Sequence, residues 1–141
     1  GKHPKVYLNK SLISHIGIPE GYIDRVKKIK IEEIRKRENI YRKGGEKIDT
    51  HGKIAIVVDD GIATGASIKV VIEALKEEKP EKIVVAVPVI PEDTLRELKK
   101  IVDDVIVLSA PGEFYAVGEF YEDFSQTTDN EVISLLQKSK S

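Results

Sequence analysis

The sequence predicts an α/β fold with a parallel β-sheet, and two observations carry that prediction. Three short runs of mostly β-branched apolar residues, at 54–58, 83–87 and 105–108, have the length and composition of buried strands. The segments between these runs place apolar residues at helical spacing. Because strands alternate with helices, the pattern favours a parallel sheet with right-handed crossovers.

Length and composition indicate one globular domain. The 141 residues are enough to bury a core, and 33% charged with 40% hydrophobic residues is an ordinary soluble balance. We divide the expected domain into a charged helical segment at 1–52, a βαβαβ core at 53–110, and an aromatic segment with a C-terminal helix at 111–141. The formal net charge of −1 gives no bulk attraction to nucleic acid or to anionic membranes.

The absence of cysteine, of a long apolar stretch and of methionine limits which classes of protein the sequence is expected to encode. There is no cysteine, which excludes disulfides and thiolate metal sites and agrees with a cytoplasmic protein. The longest apolar stretch, at 83–90, is short and contains a proline, so no membrane span is expected. There is also no methionine, and the sequence begins Gly-Lys-His-Pro. We therefore expect that the N-terminal part of the domain lies outside this sequence.

The first elements of the chain have weak signals. Val6–Leu8 is a candidate short strand because its three residues are apolar or aromatic. Asn9 or Ser11 is placed to cap a short helix that runs through His15. The sequence leaves open which of the two residues is the cap.

A highly charged stretch follows at 20–43. Its apolar residues have roughly helical spacing, but the alternation of lysine and isoleucine at 28–31 is typical of a strand. We therefore expect two helices or a break in this stretch, which Gly44 and Gly45 end.

The core elements are better defined. The run at 54–58 is unbroken and apolar, so we expect a strand buried on both faces. A helix should begin near Ala66 and end before Pro80, and a second helix should occupy Pro91–Val102 with its proline in the first turn. The expected buried stripe of the first helix is Val70, Val71, Ala74 and Leu75.

The C-terminal part combines an irregular segment with a helix. Residues 111–126, the aromatic segment, contain five phenylalanine or tyrosine side chains without helical or strand periodicity. A helix should begin near Asp129, because Thr128 and Glu131 form a capping-box pattern. Its expected apolar face is Val132, Leu135 and Leu136.

The run at 57–67 is the most informative part of the chain. An apolar strand ends in two carboxylates, a loop of small residues follows, and a helix begins. Carboxylates accept hydrogen bonds from two sugar hydroxyls, and loop amides at a helix N-terminus surround a phosphate. The alternative is a tight strand-to-helix turn with solvated acids. The candidate binding residues are Asp59, Asp60, Gly61, Ile62, Ala63, Thr64, Gly65, Ala66 and Ser67.

This run resembles the phosphoribosyl-pyrophosphate loop of the type I phosphoribosyltransferases. Their pattern is an apolar strand, two acids, small residues, Thr-Gly, one further residue, and Ser or Thr. The resemblance implies a parallel, Rossmann-like core in which Asp59 and Asp60 hold the ribose 2- and 3-hydroxyls and the loop 61–67 binds the 5-phosphate. It also implies Mg²⁺ on the pyrophosphate and ribose oxygens, reached by the two acids directly or through water.

The resemblance further implies a reaction and its partners. Pyrophosphate would be displaced from the ribose anomeric carbon by a base or another nitrogen nucleophile, with Asp59 and Asp60 as catalytic residues. Ala63 stands where several purine-salvage members have an acid, so hypoxanthine–guanine salvage is not expected. The implied partners are phosphoribosyl pyrophosphate, a base and a second copy in a homodimer, without nucleic acid or membrane. The alternative is a non-catalytic sensor of phosphoribosyl pyrophosphate or nucleotide, or a truncated inactive core.

Further pieces of the chain are similar to a bacterial and archaeal branch of predicted phosphoribosyltransferases. In that comparison Tyr115 matches a ring that stacks on the incoming base, and Glu122 matches an acid near the base or metal. The alternative is that these aromatic residues pack over the sheet edge. The pyrophosphate-binding Arg-Gly-Gly sequence of that branch is not in this sequence. The matching pieces are Arg37, Tyr41-Arg42, 59–67, 85–88 and 115–124.

One basic run has two interpretations. Family members close a mobile loop over pyrophosphate before the central strand, and a basic run hinged at Gly44 and Gly45 is placed to do so. The interpretation that we favour is a solvated helix face balanced by neighbouring acids. The basic residues concerned are Arg35, Lys36, Arg37, Arg42 and Lys43.

Overall fold

The computed structural model describes residues 6–8, 10–19, 21–42 and 48–138, without the side chains of 10–12 and 42. The chain divides into two compact units. The first, here the α/β unit, comprises Gly1–Tyr7 and Asp49–Phe124. The second, here the helical unit, comprises Leu8–Ile48 and Ser125–Ser141.

The elements of the described residues follow one another along the chain. A short 3₁₀ helix at Val117–Phe120 lies inside the aromatic segment. In chain order the other elements are α1 (Lys10–Ile16), α2 (Tyr22–Arg42), β1 (Ile54–Val58), α3 (Ala66–Glu78), β2 (Lys82–Val89), α4 (Glu92–Leu98), β3 (Asp104–Ser109) and α5 (Asp129–Lys138). None of these helices is long and apolar enough to cross a membrane.

The α/β unit contains the predicted parallel sheet. Within the described part of the chain the strand order is β1-β2-β3, and both pairings are parallel. Val57 lies opposite Val85, which in turn lies opposite Val105. The predicted α/β fold class with a parallel sheet is therefore confirmed. Because parallel strands end at the same edge, the residues that follow β1 and β2 are brought together there.

Both helices of this unit pack on one face of the sheet. Ile68 and Ile72 of α3 and Leu98 of α4 join the buried β2 residues Val85 and Val87 in one hydrophobic cluster. Burial of each such side chain contributes about 1.5–3 kcal/mol relative to an exposed position. This core fixes the positions of the strand ends.

The opposite face of the sheet corrects one prediction. β1 is not buried on both faces, because α3 and α4 cover only the face that carries Ala55 and Val57. On the other face Ile56 is 63% exposed and Leu108 of β3 is 86% exposed. An unbroken apolar run therefore indicated the strand correctly but not which of its faces is covered.

The predicted helices of this unit also need correction. The buried residues of α3 are Ile68 and Ile72, whereas Val71 is exposed. Of the predicted stripe, Leu75 packs against the core and Val70 and Ala74 are half-buried, so the prediction is wrong at Val71 and misses the two fully buried isoleucines. The helix after β2 ends at Leu98 rather than Val102. The chain continues in a turn in which Ile101 N–H and Val102 N–H both donate to the carbonyl of Leu98, at 2.9 and 3.2 Å.

The helical unit is held by contacts within α2 and between α2 and α5. α2 is one continuous helix, so the predicted break is wrong. Its residues from 22 to 42 include no glycine or proline, and Lys30 pairs with Glu33 at 2.8 Å one turn later. Tyr41 donates a hydrogen bond to Asp129 of α5 at 2.6 Å, and this bond raises the pKa of the phenol.

The capping box before α5 is confirmed. Thr128 donates from its N–H and from its hydroxyl to Glu131, each at 2.7 Å, and Glu131 N–H donates back to Thr128 at 3.3 Å. The predicted apolar face is only partly covered, because Val132 is half-buried whereas Leu135 and Leu136 are exposed.

The remaining N-terminal predictions have mixed outcomes. Val6–Leu8 forms no strand, because no described strand pairs with it. The helix that was expected to run through His15 is present as α1, but its candidate cap Asn9 lies outside the described residues, and so does the side chain of Ser11.

Arg35, Lys36 and Arg37 are exposed on α2, as expected of a solvated face. The side chain of Arg42 and residues 43–47, including Gly44 and Gly45, are likewise outside the described part.

Candidate functional site

The two acids lie at the carboxyl end of β1, as the sequence predicts. Asp59 and Asp60 are exposed, and they follow directly after Val58, the last residue of the strand. The N–H of Asp60 donates to Oδ1 of Asp59 at 3.1 Å. This bond holds one carboxylate against the main chain and leaves the other oxygens of the acid pair accessible. An acid pair at a strand end is able to accept hydrogen bonds from adjacent hydroxyls.

The loop after the acid pair is anchored in the core. The side chain of Ile62 is buried, and its N–H donates to the carbonyl of Val89 at 3.0 Å. Gly61 packs so closely that a Cβ there would lie 2.6 Å from Val117 Cγ1 and 2.9 Å from Val89 Cγ1. Glycine is therefore required for this approach of the loop to its neighbours.

The end of the loop presents free hydrogen-bond donors. Gly65 has a φ of 72° and precedes the first residue of α3, a conformation that favours glycine. Within the described residues the N–H groups of Thr64, Gly65 and Ser67 have no acceptor, whereas Ala66 N–H is 3.4 Å from the hydroxyl of Thr64. Free amides at a helix N-terminus attract an anion such as a phosphate.

Helix α4 supports the loop from the side. The hydroxyl of Thr94 donates to the carbonyl of Ala63 at 3.1 Å, which fixes the peptide unit that leads into Thr64. Lys69 of α3 pairs with Glu97 of α4 at 2.6 Å, and its side chain is 20% exposed. This hydrogen bond raises the pKa of Lys69 and lowers that of Glu97. The ammonium group of Lys69, one helical turn after the loop, is therefore paired with a carboxylate of α4.

The aromatic segment reaches the acid pair through a residue that the sequence did not single out. Tyr121 donates from its hydroxyl to the carbonyl of Asp60 at 2.6 Å. The side chain of Tyr115 is 83% exposed, and Glu122 is exposed too. Of these three residues, Tyr121 is the one with a hydrogen bond to the acid pair. No short-range spacing could have indicated it, because the two partners are 61 residues apart.

The carboxylates available at this site determine which kind of metal ion it could bind. Within the described ranges no group of three or more His, Cys, Asp or Glu side chains is arranged to hold a metal ion. Two exposed carboxylates suit a hard cation that keeps most of its ligands from water and from a phosphorylated substrate, as Mg²⁺ does.

Fold and site together define an α/β protein whose candidate site is a strand–loop–helix segment at the carboxyl edge of a parallel sheet. The model of the phosphoribosyl transferase domain matches residues 6–124, which includes the acid pair, the 61–67 loop and most of the aromatic segment. The chain belongs to the phosphoribosyl transferase domain family.

Individual proteins support the same assignment. Two relatives from Mycobacterium tuberculosis, from strains CDC 1551 and H37Rv, carry the name "Putative phosphoribosyl transferase"; each is 34% identical over 132 residues, which is 94% of this chain and 30% of the relative. The crystal structure of TT1426 from Thermus thermophilus is similar with a TM-score of 0.75 and 33% identity, over 94% of this chain and 62% of that one. The chain thus spans less than two thirds of the length of each.

Proposed function

We propose that this chain binds 5-phosphoribosyl 1-pyrophosphate and transfers its phosphoribosyl group to a base or another nitrogen nucleophile. The observation that carries the proposal is the acid pair at the end of β1, followed by the free amides that open α3. Ribose hydroxyls suit the acids and the 5-phosphate suits the amides. Family membership supports the same class of reaction.

In the expected reaction the protein contributes by positioning the reactants more than by forming covalent bonds with them. The bond between the anomeric carbon and the pyrophosphate oxygen breaks, and pyrophosphate leaves with the electron pair. A bond from the same carbon to the acceptor nitrogen forms, and that nitrogen loses a proton. Positive charge develops on the ribose ring as the leaving group departs. Asp59 and Asp60 are placed to hold the ribose and to offset part of that charge.

Mg²⁺ is the cofactor that fits these residues. It would neutralise the charge of pyrophosphate and make it a better leaving group. Asp59 and Asp60 would hold it directly or through water.

The test is binding and turnover with magnesium phosphoribosyl pyrophosphate. We expect Asp60→Asn to weaken binding about 10–100-fold, because two charge-assisted hydrogen-bonding sites become one neutral acceptor. Titration calorimetry measures the affinity, and release of pyrophosphate with a panel of bases measures transfer. Glu32→Gln, which removes an exposed acid from α2, is the matched control. Unchanged affinity in Asp60→Asn would remove Asp60 from the site.

A non-catalytic sensor or an inactive core is the second candidate. The observation that favours it is the exposure of Tyr115 and Glu122, the residues that were expected to contact a base. In that case magnesium phosphoribosyl pyrophosphate binds to the wild-type chain, but no base in the panel yields pyrophosphate. The same two measurements therefore separate the two candidates.

A further inference from the structure

The main chain of Asp60 is held at both ends of the residue. Its carbonyl accepts the hydroxyl proton of Tyr121 at 2.6 Å, and its N–H donates to Oδ1 of Asp59 at 3.1 Å. The first bond fixes the peptide plane that leads into Gly61, and the second fixes the plane that leads from Asp59. Two fixed planes restrict the φ and ψ angles of Asp60 and so the direction of its side chain.

A second contact joins the same two segments. The γ-carbons of Val117 lie so close to Gly61 that an added Cβ would be 2.6 Å from the nearer one. The ring of Tyr121 is itself supported by Phe124, with 5.1 Å between ring centroids. Residues 117–124 therefore touch the loop at one polar and one apolar point, on either side of the peptide bond between Asp60 and Gly61.

We propose that Tyr121 is a positioning residue for the acid pair. Its hydroxyl orients the Asp60 carboxylate through the main chain and does not itself contact the substrate. It also ties residues 117–124 to the 59–61 segment, so that a ligand bound by the acids changes the order of the aromatic segment. The consequence for ribose binding rests on the proposed function, whereas the structural tie does not.

The competing explanation is that Tyr121 only packs against Phe124. In that case its ring matters and its hydroxyl does not. Tyr121→Phe separates the two explanations because it removes the hydroxyl and keeps the ring. Tyr22→Phe is the matched control, since it removes an exposed phenol hydroxyl from α2 in the helical unit.

The first measurement is amide hydrogen exchange in the ligand-free chain. Loss of one neutral hydrogen bond in Tyr121→Phe should speed exchange about 3–10-fold both at Ile62, on the loop, and at Tyr121, whose N–H donates to Gly118. Amides in the middle of β2 should keep their wild-type rates, which shows that the change is local. If exchange at Ile62 is unchanged, the hydroxyl does not hold the loop and the proposal is wrong.

The second measurement is a double-mutant cycle on the affinity for magnesium phosphoribosyl pyrophosphate. We expect Tyr121→Phe to weaken binding about 3–10-fold in the wild-type background. The same change should cost less than about twofold in the Asp60→Asn background, because Tyr121 acts through Asp60. Equal losses in both backgrounds would show that Tyr121 supports the site independently of Asp60, which contradicts the proposal.

The two measurements also distinguish the proposal from the proposed function. If the wild-type chain does not bind magnesium phosphoribosyl pyrophosphate, the proposed function fails and the exchange rates at Ile62 alone decide the role of Tyr121. Binding of that ligand to the wild type should also slow exchange at Tyr121. This slowing should be absent in Tyr121→Phe and present in Tyr22→Phe.

Discussion

The two units of the chain are stabilised in different ways. In the α/β unit Ile72, Val85 and Leu98 are buried to 1% exposure or less, whereas no described residue of the helical unit is classed as buried. Its described contacts are instead the capping box of Thr128 and Glu131, the ion pair of Lys30 and Glu33, and the bond from Tyr41 to Asp129. The candidate site lies in the unit with the packed core. Binding groups are held more accurately on a packed scaffold than on elements without buried side chains.

The largest effect is expected when a leucine of the core is truncated, and this substitution tests the difference between the two units. Leu98→Ala should lower the free energy of unfolding of the α/β unit by about 2–5 kcal/mol, because Leu98 is fully buried and its removal leaves a cavity. Leu135→Ala in α5, where the side chain is 61% exposed, should change stability by less than about 0.5 kcal/mol. Urea denaturation measures both. Equal effects would mean that the two units do not differ in packing.

A second test is a substitution within the α/β unit at Gly61, where the backbone of the loop lies close to neighbouring side chains. Gly61→Ala should cost about 1–3 kcal/mol, because the new Cβ would overlap the side chains of Val117 and Val89. Val117→Ala should restore part of that loss by removing the nearer γ-carbons. Gly112→Ala is the control, since a Cβ there meets nothing within 4 Å. Thermal unfolding of Gly61→Ala, of the double variant with Val117→Ala, and of Gly112→Ala would detect the pattern, and a Gly61→Ala protein with wild-type stability would contradict the packing.

Contiguity decides which parts of the site the sequence could predict. The acid pair, the loop and the start of α3 were predicted because 59–67 is one uninterrupted run. The bonds from Thr94 to Ala63 and from Tyr121 to Asp60 join residues 31 and 61 positions apart, so they depend on how the strands are arranged. Mg²⁺, the acceptor base and the homodimer stay predictions.

The same argument applies to the fold. Three apolar runs separated by helices were enough to predict a parallel sheet, because each run has the length of a strand. The covered face of β1 was not predictable, since Ile54–Val58 is apolar on both faces. The continuity of α2 was missed because a local alternation at 28–31 was given more weight than the absence of helix breakers over 22–42.

The smallest expected effect concerns the capping box of the helical unit. Hydrogen bonds from the N–H of Thr128 and then from its hydroxyl hold the pKa of Glu131 below its ordinary value of 4.5. The carboxylate therefore contributes to the stability of α5 fully above pH 4.5, and this contribution is lost as the pH falls through the lower pKa of the folded state. Helicity measured by circular dichroism should decrease in that range, and Glu131→Gln should remove this step.

Thr128→Ala sharpens the last prediction because it removes only one of the two hydrogen bonds that the Glu131 carboxylate accepts. The N–H donor remains, so the pKa of Glu131 should rise toward 4.5 without reaching it, as a carbon-detected NMR titration of the carboxyl group would show. The helix should lose about 1 kcal/mol of stability with its cap. A pKa that does not move in Thr128→Ala would mean that the threonine hydroxyl contributes nothing to this cap.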